Sequence, residues 1–337
     1  MKELVYGMDI NCYRLRAAHV NLDNGKLEGD ILEIYFNNKN YEEVLNSISN
    51  IIPRGSKIGI SIPGVIDKNK LEVKLSINSR LGENVTLPRD LQEGGYLVKM
   101  SNDVVSEAHA ENAFGIGNKD FALATYSTGF NAVPVLKGNV HFKPEFGHQS
   151  YDNFSKFICG CGIKGCLEVF VSGSGAGKMA QDYFNKNNTN NIIIKYGLDD
   201  FNKREGTSHD YNDLADYEIR SKIIDSVEGR HIYMAYDKNP HDDPQRFIRN
   251  LQLKAITESL NRIAVVYNPL DSIVLKGGLT DESDESKSWK NLFKPAIKAF
   301  HDMRLRDYSC NPDIYRTKIK EIGIVGGAVN WKKFIQS

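Results

Sequence analysis

Apolar positions along the chain fall into short runs separated by glycine and polar turns, a rhythm of strands alternating with helices. Residues 4–10 (L-V-Y-G-M-D-I) read as a buried strand carrying Asp9 near its end. Residues 13–20 alternate as its hairpin partner, with a turn at Asp23, Asn24 and Gly25. Residues 41–52 have helical spacing. Strands at 58–62 and 97–100 run into S-I-P-G-V-I-D and S-N-D, the second with a helix behind it. Further strands are expected at 121–126, 133–136, 271–278 and 319–324, with a hairpin turn at Lys137, Gly138 and Asn139. Helical periodicity marks 214–234, 244–267 and 289–301, and a closing helix follows from Gly326. Residues 167–180 read as a helix interrupted by glycines; its G-S-G-A-G-K run lacks the Walker spacing, since Met179 follows Lys178, and is a coincidence. Residues 181–212, rich in Asn, Asp and Lys, read as a surface excursion with short elements. There is no internal repeat, heptad run or low-complexity tract.

Length adds that two cores can be buried, since 337 residues suit two units of ordinary domain size. Charge removes a class of partner: 43 basic residues balance 43 acidic ones, so no footprint for nucleic acid is expected. No apolar run nears membrane-spanning length and no signal peptide is read, so no membrane partner and a reduced, cytoplasmic location are expected.

Cysteine changes the picture most. Three of the five cysteines lie within eight residues, and with His148 they make an H-x10-C-x-C-x4-C set: His148, Cys159, Cys161 and Cys166. One imidazole and three thiolates are a closed tetrahedral set for a structural Zn2+. Gly160, Gly162 and Gly165 allow the tight backbone such a loop needs. The competing reading is a cluster of buried or free thiols beside a loop histidine. Glu145 and Glu168 flank the set, which makes it a scaffold for carboxylates as well as a staple. Cys12 and Cys310 stand alone as small buried hydrophobes. Asn102 and Asp103 follow a strand, where α/β proteins collect ligands; the plainer role for either is a helix N-cap.

G-H followed by C-G-C-G-I-K-G-C-L-E resembles the signature of the ROK family (repressors, open reading frames and sugar kinases). The resemblance extends along the chain. Asp9, Ile10, Asn11, Cys12 and Tyr13 stand where that family has a phosphate-binding D-x-G-G-T turn, with the aspartate kept and both glycines and the threonine replaced. Pro63 and Gly64 with Asp67 resemble its P-G-x-V-D segment, and Asn84, Leu87 and Leu91 its N-x-P-L-x-x-x-L segment. Asn102 and Asp103 match its catalytic pair. Thr128 and Gly129 match a G-T-G-x-G turn in which Ser127 and Asn131 replace glycines. Gly277 and Gly278 match an I-V-L-G-G-G turn in which Lys276 replaces the first glycine, and Gly326, Gly327 and Ala328 match a small-residue turn.

The resemblance implies an α/β fold of two RNase H-like lobes of the actin/hexokinase/Hsp70 type with an inter-lobe cleft. Residues 1–113 plus 319–337 would form the smaller lobe and 114–318 the larger one, with the zinc loop. It implies an ATP-dependent sugar kinase that transfers the γ-phosphoryl group to a hexose or N-acetylhexosamine hydroxyl, with Asp103 as base. Asn102, Glu145, His148, Glu168, Pro63 and Gly64 would bind the sugar. Asp9, Asn11, Thr128, Gly129, Gly277 and Gly278 would face ATP and Mg2+, and His148 would use one ring nitrogen for zinc and the other for the sugar. A homo-oligomer, dimer or tetramer, is implied too. A repressor is not expected, because no helix-turn-helix module precedes the first strand. The alternative is a sugar-binding or regulatory protein without transfer activity, because cysteine and tyrosine add bulk where a γ-phosphate would approach the first turn.

Overall fold

A computed structural model describes residues 4–11, 14–36, 41–67, 69–75, 86–117, 119–141, 145–187, 191–238, 242–280, 285–303 and 311–333. Cys12, Tyr13, Asn84 and Cys310 lie outside the described residues. The chain divides into two compact units, Met1–Leu123 with Val133–Pro144 and Thr317–Ser337, and Ala124–Ala132 with Glu145–Arg316.

In chain order come strands β1 (Leu4–Ile10), β2 (Arg14–Asn21) and β3 (Leu27–Tyr35), helix α1 (Tyr41–Ile51), then β4 (Lys57–Ile62). A small hairpin of β5 (Val65–Asp67) and β6 (Glu72–Leu75) leads to α2 (Leu87–Glu93), β7 (Leu97–Asn102) and α3 (Asp103–Phe114). Strands β8 (Phe121–Tyr126), β9 (Phe130–Leu136) and β10 (Asn139–Val140) precede a 3-10 turn at Phe146–His148. Helices follow: α4 (Leu167–Val171), α5 (Gly173–Lys186), α6 (Ile192–Glu205), α7 (Tyr217–Asp225), α8 (Gly229–Lys238) and α9 (Asp243–Val266). Then come β11 (Ser272–Lys276), a π-helical stretch at Glu285–Phe293, α10 (Lys294–Asp302), β12 (Asp313–Arg316) and α11 (Ile322–Lys333).

The two five-stranded sheets share one topology. Their orders are β3-β2-β1-β4-β7 and β10-β9-β8-β11-β12, each three strands consecutive in sequence with two later ones added beside the first of them. In the first sheet β1 is antiparallel to β2 and parallel to β4, and β4 is parallel to β7. Period-two alternation assigns the faces of β1. Met8 and Ile10 join the core under α1 and α2, while Val5 joins the core formed with α11.

That second face is built for backbone approach. A Cβ on Gly7 would overlap the carbonyl of Ile324, one on Gly59 that of Gly327, and one on Gly326 that of Ser106 in α3. Helix α11 therefore lies directly on β1, β4 and α3, with Ile324, Val325 and Ala328 fully buried. Replacing Gly59 by alanine forces this contact apart. The expected loss is about 3 kcal/mol, the upper end for overpacking, read as a lower midpoint in urea unfolding; an unchanged midpoint would refute the close packing.

Three expectations are corrected here. Residues 319–324 are not a strand: β12 lies earlier, and helix α11 already begins at Ile322. The run I-G-I-V-G-G-A-V is buried on all sides, so it lacks the polar stripe by which an exposed helix announces itself. Residues 181–212 are not an excursion of short elements either. Helix α6 spans 14 residues, with Ile193, Ile194, Gly197, Leu198 and Phe201 buried on one face. Asn191 caps its start and Gly206, at φ 68°, closes its end. The stretch 214–234 is two helices, α7 and α8, separated at Ser226, Val227 and Glu228. Strand β3 was not expected; the turn at residues 23–25 joins it to β2.

Candidate functional site

In the first unit, parallel pairing brings three expected site segments to one sheet edge. Asp9 on β1 pairs with Ser61 on β4, and Ile62 at the end of β4 pairs with Asn102 at the end of β7. The Pro63-Gly64 turn therefore stands beside the Asn102-Asp103 pair. Asn102 does cap α3: its Oδ1 accepts from the backbone N–H groups of Val104 (3.1 Å) and Val105 (3.4 Å). Its Nδ2 also donates to the carbonyl of Gly64 at 3.2 Å, fixing the turn to the pair. Asp103 is the first residue of α3 and half-buried, at a helix end whose dipole favours a carboxylate.

Asp9 is not presented openly. Its Oδ2 accepts from Arg16 at 3.0 Å, its cross-strand partner, and Arg16 is bonded on its other side by Glu321. The carboxylate lies against α11, where a Cβ on Gly323 would crowd its Oδ1. Asn11 serves its own turn, its Oδ1 accepting from the backbone of Arg14 at 3.1 Å. Arg16 and Glu321 were missed by the sequence reading; strand register could have offered Arg16, but nothing local offers Glu321.

In the second unit the ligand atoms of His148, Cys159, Cys161 and Cys166 lie within 4.8 Å of one another. The loop closes through short bridges, Ser150 with Cys166 and Ile158 with Lys164. Gly162 (φ 86°) and Gly165 (φ 68°) are left-handed, whereas Gly160 is not; at Gly165 a Cβ would also meet the carbonyl of Asp152. His148 Nδ1 is 3.5 Å from Cys159 Sγ, and the Sγ atoms of Cys161 and Cys166 are 3.6 Å apart. Both are close to the edge of a tetrahedron of donors that would hold Zn2+, for which bonds of about 2.3 Å give sulfur separations of about 3.8 Å. The separation is far too long for a disulfide. Burial pushes the Cys159 thiol well up and that of Cys166 up to about 11, so buried thiolates here call for a cation. The donor set fits zinc.

Two carboxylates adjoin this set. Glu168, nine-tenths buried at the start of α4, accepts from the Phe130 N–H through Oε2 (3.0 Å), and its Oε1 lies 3.4 Å from Cys159 Sγ. Glu145 adopts a left-handed backbone (φ 66°, ψ 50°), and its Oε2 lies 3.5 Å from His148 Nε2. The histidine thus turns Nδ1 to the sulfurs and Nε2 to Glu145. Burial raises the Glu145 carboxyl above the usual range, against the pull of His148.

The turns expected to face nucleotide also meet within this unit. The N–H of Ser127 donates to the carbonyl of Gly129 (2.9 Å), and the start of α5 donates to the turn, Gly173 to Ser127 (2.8 Å) and Ser174 to Thr128 (3.1 Å). Gly277, at φ 110°, lies so close to Tyr126 that a Cβ would overlap its carbonyl, which also accepts from Leu279 (3.2 Å). The segment of Gly277 thus packs on Tyr126, two residues before Thr128. Gly175 and Gly177 are packing positions against Val169 and Gly229, and Lys178 donates to the carbonyl of Ile158, in keeping with the coincidental phosphate-loop pattern.

A family model described as "ROK family" matches residues 7–333. The N-acetyl-D-glucosamine kinase of Haemophilus influenzae is 27% identical over 205 residues, covering 53% of this chain and 66% of the kinase, so the match spans just under two thirds of that relative. The xylose repressor of Bacillus spizizenii is 29% identical over 151 residues, 42% of this chain and 38% of the repressor. Among solved structures, a ROK family glucokinase from Streptomyces griseus, in complex with glucose and AMPPNP, has a TM-score of 0.68 at 19% identity, over 97% of this chain and 98% of that one. That likeness bears on the fold, and the two-lobed actin/hexokinase-type architecture expected from the sequence is the one observed. With a family model matched across all but a few terminal residues, the chain belongs to the ROK family.

Proposed function

We propose that this chain is a carbohydrate kinase, transferring the γ-phosphoryl group of ATP to a hydroxyl of a hexose or N-acetylhexosamine. The observation that carries this reading is the joining of the His/Cys3 set to two carboxylates, Glu145 beside His148 and Glu168 beside Cys159. A polyol needs such groups, because carboxylates accept from adjacent hydroxyls and a held imidazole fixes their aim. Zinc bound by His148, Cys159, Cys161 and Cys166 would supply rigidity, with no open position for chemistry. Asn102, Pro63 and Gly64 would shape the sugar site, and Asp103 would accept the proton from the attacking hydroxyl and hold its oxygen in line. Thr128, Gly129, Gly277 and Gly278 would hold the nucleotide, which with Mg2+ supplies the phosphoryl group. A cytoplasmic location and a homo-oligomer belong to the same reading; among the described residues no helix is long and apolar enough to cross a membrane.

One observation favours a second reading, a ROK sugar-binding or regulatory protein. Asp9, expected to face Mg2+, is already paired with Arg16, whose charge opposes a divalent cation there. A panel of glucose, fructose, mannose and their N-acetylamino relatives, titrated calorimetrically and assayed with several phosphoryl donors, separates the two. A sugar phosphate formed with ATP is the expected result. Sugar bound without nucleotide binding or turnover overturns the kinase in favour of the second reading, and no sugar bound overturns both.

A further inference from the structure

Asn131 stands where the family pattern has a glycine, and its side chain is engaged. Its Oδ1 accepts from the N–H of Phe146 at 3.0 Å and from the N–H of Ala132 at 2.9 Å. Phe146 is the residue after Glu145, whose left-handed backbone (φ 66°) is unfavourable by about 1–2 kcal/mol for a residue with a Cβ and has to be held from outside. Phe130, next to Asn131, holds the other carboxylate through its own N–H, bonded to Glu168. Gly147 closes the contact, because a Cβ there would overlap the Phe130 carbonyl.

We infer that Asn131 is a positioning residue for the acceptor carboxylates: it latches the Glu145 loop to β9 while its neighbour Phe130 fixes Glu168. The inference rests on the sugar-binding part of the reading above. The exchange that removes a glycine from the phosphate turn installs a bond no glycine can make. One dipeptide at the start of β9 then sets the spacing of both carboxylates, and their aim no longer depends on the loop alone.

The test compares Asn131→Ala, Asn131→Gly and Asn131→Asp in the full zinc-loaded chain, using the sugar that the wild type binds in the panel. Sugar affinity by calorimetry is expected to fall about tenfold in the first two variants, the loss of one part-buried hydrogen bond. Zinc content should stay at the wild-type value, and the midpoint of thermal unfolding should fall by no more than about 2–4 °C, as for one lost hydrogen bond. Asn131→Asp keeps an acceptor for the Phe146 N–H and is expected to remain within about threefold of wild type. Wild-type affinity in Asn131→Ala overturns the latch, as does a loss that Asn131→Asp fails to restore or that comes with loss of zinc. A wild-type chain that binds no sugar overturns the functional reading and the latch with it, an outcome distinct from sugar binding that ignores Asn131.

Discussion

Asp103→Asn is expected to lower kcat for sugar phosphorylation by about 10²–10⁴-fold, the usual contribution of a positioned base. Sugar affinity should stay within about threefold. The asymmetry follows from what the exchange spares. Asparagine has the size of aspartate but cannot take up a proton at neutral pH. The cap of α3 belongs to Asn102, whose bonds to Val104, Val105 and Gly64 do not involve the Asp103 side chain, so the helix start and the neighbouring turn remain. Single-turnover phosphorylation beside calorimetric sugar binding reads both quantities. A variant with the wild-type rate would show that Asp103 is not the base.

Removing the metal, by chelation or by Cys166→Ser, is expected to act on stability and binding together. Between His148 and Cys166 the large apolar residues Phe154, Ile158 and Ile163 are exposed, and the loop is held by the packing of Tyr151 and Phe157 on Phe170 and by backbone bonds such as Leu167 to Gln149 (2.9 Å). Zinc binding in small metal-dependent folds is worth about 10–16 kcal/mol, and only the part linked to this loop's order is lost here. A loss of several kcal/mol corresponds to a fall of about 10 °C in Tm for a unit of this size. Sugar affinity should fall at least about tenfold, since His148 and Glu168 lose their fixed neighbours. Zinc stoichiometry by elemental analysis, with thermal unfolding and calorimetry, reads all three. A metal-free chain with unchanged Tm and sugar affinity would favour the alternative of plain buried thiols.

What could be read from the chain was local. The four residues of the His/Cys set lie within one stretch, so their spacing alone picks them out, and the geometry adds which ring nitrogen of His148 faces the sulfurs. Strands β1, β4, β7, β8 and β11 were legible because each is an apolar run ending in a turn of Gly, Pro, Asn or Asp. Helix α6 was hidden by composition: Asn, Asp and Lys on its outer face masked a regular apolar stripe. Only half of the clamp on Asp9 was within reach: strand register offers Arg16, but Glu321 lies 305 residues from it in sequence. Asn131 could be flagged as a departure, but its partner Phe146 depends on how β9 meets the acceptor loop. Exchanges at functional turns were visible as losses; the bonds they introduced were not.

Helix α11 has a consequence for biosynthesis. Gly7 and Gly59 leave a shallow place on the first sheet into which this helix fits, and its residues leave the ribosome some 260 residues after Gly59. The first unit therefore begins earliest and is completed last. Until Ile322 onward is available, a nascent chain carries uncovered the part of that sheet face on which α11 lies, while the residues of the second unit are being made, a period in which a chaperone has something to cover.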